Sequence, residues 1–439
     1  MARRFFSNES AKALKRRLPF LFSWLLAGIA ITAPPAVKAR PNHPAAPIPM
    51  PTPFLTGFGG LLAGVTADQK AAWIAGLQQF QVVDGPADGL GPIFNNQSCV
   101  SCHSQPVVAG AITPGGASTV LETRFGKLTN GQFDPLTSEG GTLLHQMALA
   151  PFAQDTIPSD ANVVASRKTT PTFGLGLIEA IPDAAIEANA HHPPVDGVTG
   201  RAAILTDSVT QLVGGNVVGR FGWKCQESTL LAFSADAELN EMGVTNRFFT
   251  TDLAPGGNQA TLIQAEPNGM TPTTLQDLPA NPALPESPTN KDDIARFTDF
   301  LQLNAPPPVV PLTPQAQRGQ ALFAAVNCIA CHKPSMQTGP STVSVALAFQ
   351  NVPLYSDLLL HRMGALADGI AQAAAQPDEM RTAPLWGLRA RSPFLHDGRA
   401  STILQAILMH DGEARVIRDR FANLSEVQKN AIIAFLESI

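Results

Sequence analysis

The sequence predicts a mainly α chain with long loops and a few short strands, built as two related halves of which the first carries a large insertion. Three observations predict it. The pattern Cys-x-x-Cys-His occurs twice, as Cys99-Val100-Ser101-Cys102-His103 and as Cys328-Ile329-Ala330-Cys331-His332. Each copy follows a short segment with helix-start signals. The stretch after the first copy is much longer than that after the second, and its runs at 110–141 and 189–200 are rich in Gly, Pro, Asn and Thr, so they read as loops.

Taken in order, the 439-residue chain is long enough for two or three domains of about 150 residues each. It opens with Arg3, Arg4, Lys12, Lys15, Arg16 and Arg17, an apolar run over 18–33 and the small-residue pattern Val37-Lys38-Ala39. That is the layout of a signal peptide ending near Ala39, and it predicts a periplasmic or otherwise exported protein. Membrane attachment would follow only if the segment stayed uncleaved. Residues 40–56 are a proline-rich lead-in. Helices are expected over 66–80, over 292–303, from Pro314 through Phe323 with Thr313 as N-cap, and over 425–439 with a Ser425/Gln428 capping box. Proline-rich stretches at 278–288 and 305–314 place the boundary between halves near 305, giving domains 57–304 and 305–439.

Removing residues 1–39 leaves 23 basic against 34 acidic residues, a formal charge near −11. Such a surface suits a basic redox partner and offers no nucleic-acid patch.

The repeated pattern carries the chemistry. Its two thiols can form thioethers to the two vinyl groups of a haem, and the adjacent histidine is carried under the ring to give iron its proximal nitrogen. Chance would produce one such match in roughly a thousand chains of this composition. A zinc site would need a second compatible pair nearby, and a redox dithiol would need a thioredoxin-like strand and helix. The residues therefore predict two covalently bound haem c groups, with Cys99, Cys102, Cys328 and Cys331 as tethers and His103 and His332 as iron ligands, in two cytochrome c-like domains. A faint repeat supports duplication: Arg167 precedes Pro171-Thr172-Phe173-Gly174-Leu175, and Arg381 precedes Pro384-Leu385-Trp386-Gly387-Leu388. Both arginines are candidates for pairing with haem propionates.

Gly91-Pro92-Ile93-Phe94-Asn95, Gly174-Leu175-Gly176-Leu177-Ile178-Glu179-Ala180-Ile181-Pro182, Gly219-Arg220-Phe221-Gly222-Trp223-Lys224, Phe394-Leu395-His396-Asp397-Gly398-Arg399-Ala400 and His410-Asp411-Gly412-Glu413-Ala414 resemble the di-haem oxidoreductase family, whose members are often labelled thiol oxidoreductases. The likeness covers most of the chain after residue 39, and it is similar, more distantly, to bacterial di-haem cytochrome c peroxidases. Two departures are visible: the family usually has Asp where Arg362 follows His361, and a small residue where Cys225 follows Lys224. With four thiols used by haem, no dithiol remains for thiol oxidation.

The resemblance implies one haem for electron uptake and one for chemistry. Electrons would come from a small donor protein, a cytochrome c or cupredoxin, and the substrate would be hydrogen peroxide or another small oxidant. It places His410, with Met409 as neighbour, where peroxidase-like relatives carry the sixth ligand of the second haem. His145, Met147, His191 and His192 are the remaining candidates for the first. Should the first iron be open, Glu179, with its apolar flanks, is the carboxylate expected to move a proton between peroxide oxygens. Two other readings remain: a non-enzymatic electron-transfer cytochrome with both irons six-coordinate, and an oxidase of an organic or protein substrate.

Overall fold

In the computed structural model, residues 57–111, 121–206, 215–279, 281–285, 287 and 289–439 are described; the expected signal peptide and lead-in lie outside them. Helix outweighs strand, 33% to 15%. The described helices are α1 (Ala67–Gln79), α2 (Cys99–Cys102), α3 (Leu175–Glu179), α4 (Asp183–Glu187), α5 (Leu230–Met242), α6 (Gln259–Ala265), α7 (Asp293–Leu303), α8 (Pro314–Ala325), α9 (Ile403–Leu408), α10 (Arg415–Ala422) and α11 (Glu426–Leu436). No helix among the described residues is long and apolar enough to cross a membrane.

Local signals set the ends of the main helices. Thr66 and Gln69 form a capping box at α1, and the Thr313 hydroxyl accepts from Ala316 N with Pro314 at the first helical position of α8. Ser425 and Gln428 cap α11, and Asp292 caps α7.

Each half is organised by one close helix crossing, and a glycine permits each. A Cβ on Gly76 of α1 would lie 2.3 Å from Arg296 O of α7, and a Cβ on Gly319 of α8 would lie 1.8 Å from Ala431 O of α11. One turn after each glycine stands a phenylalanine. Phe80 packs on Phe300 of α7 (ring centroids 5.0 Å apart) and on the His103 ring (5.8 Å). Phe323 packs on Phe435 of α11 (5.4 Å) and on the His332 ring (6.3 Å). The same Gly-x-x-x-Phe unit thus fixes both motif histidines against a helix pair.

The two cores are unequal. The core around α8 and α11 is built from residues after 311, including Phe323, Tyr355, Phe421, Ile432 and Phe435. The core around α1 and α7 also takes Met336, Leu347, Val352, Leu354, Leu358 and Leu359. The chain therefore passes from α7 to α8 near residue 305 but returns to the first core with Val352, Leu354, Leu358 and Leu359, while Tyr355 between them packs in the smaller one.

The stretch read as loop over 110–141 holds the longest described strand. Glu122–Thr129 pairs antiparallel with Gln132–Asp134, Leu143–Leu144 and Val163–Arg167. Its hairpin turns at Asn130 (φ 51°) and Gly131 (φ 79°), the Asn-Gly pair that suits a two-residue turn with both central residues left-handed. Residues 189–200 form a loop closed by a bridge between Val195 and Val198.

Replacing a helix-interior glycine by alanine normally favours the helix by about 1 kcal/mol. At Gly319 the overlap with α11 reverses the sign. Gly319→Ala is expected to lower unfolding free energy by about 1–3 kcal/mol, read by thermal or denaturant unfolding; a more stable variant would contradict the crossing described here.

Candidate functional site

A single cavity receives the second motif. His332 and His410 face each other across it, with ring centroids 6.3 Å apart and planes inclined at 61°. His332 Nδ1 lies 3.1 Å from Tyr355 O, and His410 Nδ1 lies 2.7 Å from Ala406 O, one turn back on α9. With both Nδ1 atoms donating to carbonyls, each ring presents the lone pair of Nε2. Burial lowers both pKa values, that of His332 to about 4, so both rings are neutral and able to ligate. Met409, the neighbouring candidate, is 39% exposed.

The residues present fit a haem here. A metal between two imidazole nitrogens stands about 2 Å from each, and roughly 1 Å more reaches each ring centre, giving about 6 Å between centroids. The walls add Phe323, Leu385, Leu388, Ile407, Phe421 and Leu436, and Cys328 and Cys331 lie at the edge.

At the first motif, α2 carries Cys99 and Cys102, and His103 Nδ1 lies 3.0 Å from Gly110 O. Burial lowers His103 to about 4, so this ring too is neutral. Thr170, Pro171, Leu175, Ile178, Phe221 and Phe233 of the first half also line the cavity that receives the second motif. Of the candidates for a sixth ligand, His145 has Nδ1 2.7 Å from Asp155 and its Nε2 buried without a hydrogen-bond partner, and Met147 packs with Leu90, Phe94, Met242 and Val244. His191 Nε2 meets Ala330 O (3.0 Å) at the second motif, and His192 is exposed.

The two arginines part company. Arg167 is consumed inside the protein: its guanidinium lies 2.8 Å from Asp368, both side chains at most 1% exposed, and Lys224 takes the other carboxylate oxygen at 2.8 Å. The expectation that Arg167 pairs with a propionate is corrected accordingly, because its guanidinium is turned into this buried cluster and does not line the cavity. The next residue, Lys168, is on the cavity wall, as alternation along an extended segment requires. Arg381 is on the wall as well, together with Arg391. Their partners are carbonyls: Gly222 O for Arg381, Pro384 O and Trp386 O for Arg391, and Pro393 O for Lys168. Burial lowers Lys168 to about 8 and, with Arg381 adding to it, Arg391 to about 10. Arg220 and Arg418, on the same wall, are paired with Asp183 and with Asp411 and Asp419; the other three cations call for anions bound in the cavity, which the carboxylates of a haem supply.

Glu179 is also corrected. Its Oε1 accepts from Leu230 N (2.7 Å), the first residue of α5, and its Oε2 accepts from Gln302 (2.6 Å). It borders a second cavity with Asp183, Thr229, Ser341 and Val343, away from His332 and His410. Burial raises its pKa as its apolar flanks suggest, but its oxygens are committed to a helix end.

The carboxylates beside the first motif come from α5 instead. Phe233, Asp236, Asn240 and Glu241 share one face by helical spacing, and Phe233 reaches the cavity. Glu241 Oε2 accepts from Asn95 Nδ2 (2.9 Å), and its carbonyl takes the N–H groups of Asn95 and Asn96, just before Cys99. Burial and then the Glu122 charge push Glu241 up to about 7; burial pushes Asp236 up to about 6, with Glu122 adding to it against Arg124. That helical spacing was readable in the sequence, but which face turned inward was not.

Comparison with known proteins follows this geometry. Residues 153–439 match the family model described as "Di-haem oxidoreductase, putative peroxidase". No curated protein matches the chain. Solved structures that it resembles include hydrazine synthase of Kuenenia stuttgartiensis (12% identity, TM-score 0.35, covering 89% of this chain and 98% of that one). The diheme peroxidase BthA of Burkholderia thailandensis is similar at 14% identity (TM-score 0.27; 73% and 95% covered). A MauG-like protein associated with microbial copper homeostasis is similar at 18% (TM-score 0.28; 61% and 88%).

Glu179→Ala leaves the first N–H of α5 and the Gln302 amide without their acceptor. It is expected to cost about 1–3 kcal/mol of stability in a denaturant melt. Glu179→Gln, which keeps one acceptor, is expected to leave the pH dependence of turnover unchanged; loss of its acid limb would restore Glu179 to the chemistry.

Proposed function

Because the chain belongs to the di-haem oxidoreductase family, we propose that it is an exported peroxidase-type enzyme. Both haems are tethered covalently through Cys99, Cys102, Cys328 and Cys331. Electrons arrive from a small redox protein, a cytochrome c or cupredoxin, at the second haem, and peroxide is reduced at the first. The observation that carries this reading is the inequality of the two sites. The second has two opposed neutral histidines 6.3 Å apart; the first has His103 with the Phe80 ring beside it and, among the described residues, no histidine ring in contact with it.

Haem, when bound, supplies the redox chemistry; the chain supplies everything around it. His332 and His410 close the second site to exogenous ligands, a condition suited to electron transfer. Arg381, Arg391 and Lys168 neutralise carboxylates in the shared cavity. Leu175, Ile178, Phe221 and Phe233 exclude water at the first site and so strengthen electrostatic interactions there. Glu241, with a pKa near 7, is suited to accept the proton of one peroxide oxygen and return it to the other, with Asp236 beside it as a second store.

Two measurements test the reading. Peroxide-dependent oxidation of a reduced small cytochrome c should be catalysed by the holoprotein. Its rate should fall as pH drops below about 7, because Glu241 acts in its ionised form and is protonated below its pKa. Glu241→Gln should lower turnover about a hundredfold and abolish that acid limb. Absence of turnover in protein carrying both haems would favour the carrier reading, and turnover only with an organic or protein reductant would favour the oxidase reading. Tethering is checked separately: the denatured chain should retain the mass of two haems, and Cys328→Ala/Cys331→Ala should retain one.

A further inference from the structure

His361 takes no part in the chemistry described above, yet it is held more tightly than any other histidine in the described chain. It lies in the strand Leu360–Arg362, paired with Glu379–Arg381, and is 2% exposed. Its Nε2 lies 2.9 Å from Asp357 Oδ2 and its Nδ1 lies 2.9 Å from Glu413 Oε2. A neutral imidazole has one N–H, so a neutral ring would set a lone pair against one of these carboxylates. With a carboxylate at each nitrogen, the ring carries both protons and a positive charge.

The surroundings hold that arrangement in place. Asp357 Oδ1 accepts from Leu359 N, and Glu413 accepts from the N–H groups of Thr199, Gly200 and Arg362. Burial would raise Glu413, but His361 and these N–H groups outweigh it and hold the carboxyl near 2. Gly200 packs so closely that a Cβ there would lie 2.7 Å from His361 Cε1. On its other side the ring meets the second motif: His361 Nδ1 is 3.8 Å from Cys331 Sγ, and His361 borders the cavity that contains His332 and His410.

We propose that His361 is a fixed cation at the edge of the second haem, and that the Asp357–His361–Glu413 clamp sets the midpoint potential of that haem. The proposal rests on the reading that Cys331 tethers a haem whose iron is held by His332 and His410. An iron with two histidines has a lower potential than one with histidine and methionine. A haem that must accept electrons from a donor therefore gains from a nearby positive charge, which favours the reduced state. The two carboxylates oppose that effect and limit it. The clamp is a tuning device: it touches the haem tether and acts through charge rather than through bonds to iron.

The test is a spectroelectrochemical titration of the low-spin haem in the full holoprotein, with three variants. His361→Gln removes the cation and is expected to lower the potential, with the ratio of reduced to oxidised haem falling on the order of tenfold at a fixed solution potential, about 59 mV for one electron. Glu413→Gln and Asp357→Asn each remove an opposing charge and are expected to raise it. Shifts of opposite sign, with the low-spin spectrum retained, require an electrostatic cause, since a loosened pocket would move all three variants the same way. Shifts of one sign, or none, overturn the proposal. If the reading beneath it fails, the wild-type protein itself shows no low-spin haem tethered at the second motif, an outcome distinct from an unmoved potential. Should His361→Gln fail to fold, His361→Asn supplies the cation-free variant against which the two carboxylate variants are read.

Discussion

A neutral imidazole has one N–H, and committing it to a backbone carbonyl leaves the other nitrogen as a lone pair with a fixed direction. That constraint is met at His103, His332 and His410, and the rest of the site follows from it. Gly110, Tyr355 and Ala406 supply the carbonyls. Tyr355 is itself fixed by packing on Phe323 and Phe435 at the α8/α11 crossing. The crossing exists only because Gly319 lets two backbones meet. A small residue on one helix is thus connected, through one ring and one carbonyl, to the orientation of the His332 ring.

The same logic makes the halves related but unequal. Gly76, Phe80 and His103 repeat Gly319, Phe323 and His332. The first half, however, has α5 beside its motif, bringing Phe233, Asp236 and Glu241, while the second has α9, bringing His410. One site is given acids with pKa values near neutrality, the other a second imidazole. Each half carries one motif, and the helix laid across it determines which side chains stand beside that motif. The cavity at the second site carries Lys168, Arg381 and Arg391, whose partners in the protein are carbonyls and which so await the charge of what binds there.

Much of this was legible in the residues. The two Cys-x-x-Cys-His patterns, the caps at Thr66, Thr313 and Ser425, and the placement of His410 opposite His332 were readable from spacing and resemblance. What escaped depended on which way a side chain turns. Arg167 and Lys168 are neighbours in sequence, yet one is buried against Asp368 and the other borders the cavity. Glu179 has the apolar flanks of a perturbed acid, and its raised pKa agrees, but its oxygens serve the start of α5. The Asn130-Gly131 turn was a readable hairpin signal hidden in a glycine-rich stretch. The paired Gly-x-x-x-Phe units are too short to stand out until the crossing gives them a purpose. His361 carries no motif of its own; its partners are 4 and 52 residues away, and only the fold brings them together.

The central claim is that the second iron is closed by two histidines while the first remains open, and low-temperature EPR with electronic absorption of the oxidised and one-electron-reduced holoprotein tests it most directly, comparing wild type with His410→Ala. The account predicts one low-spin signal of bis-histidine type and one high-spin signal that responds to cyanide in the wild type, with the low-spin signal lost in the variant. Two low-spin irons that refuse cyanide in both states, or a low-spin signal untouched by His410→Ala, would contradict it.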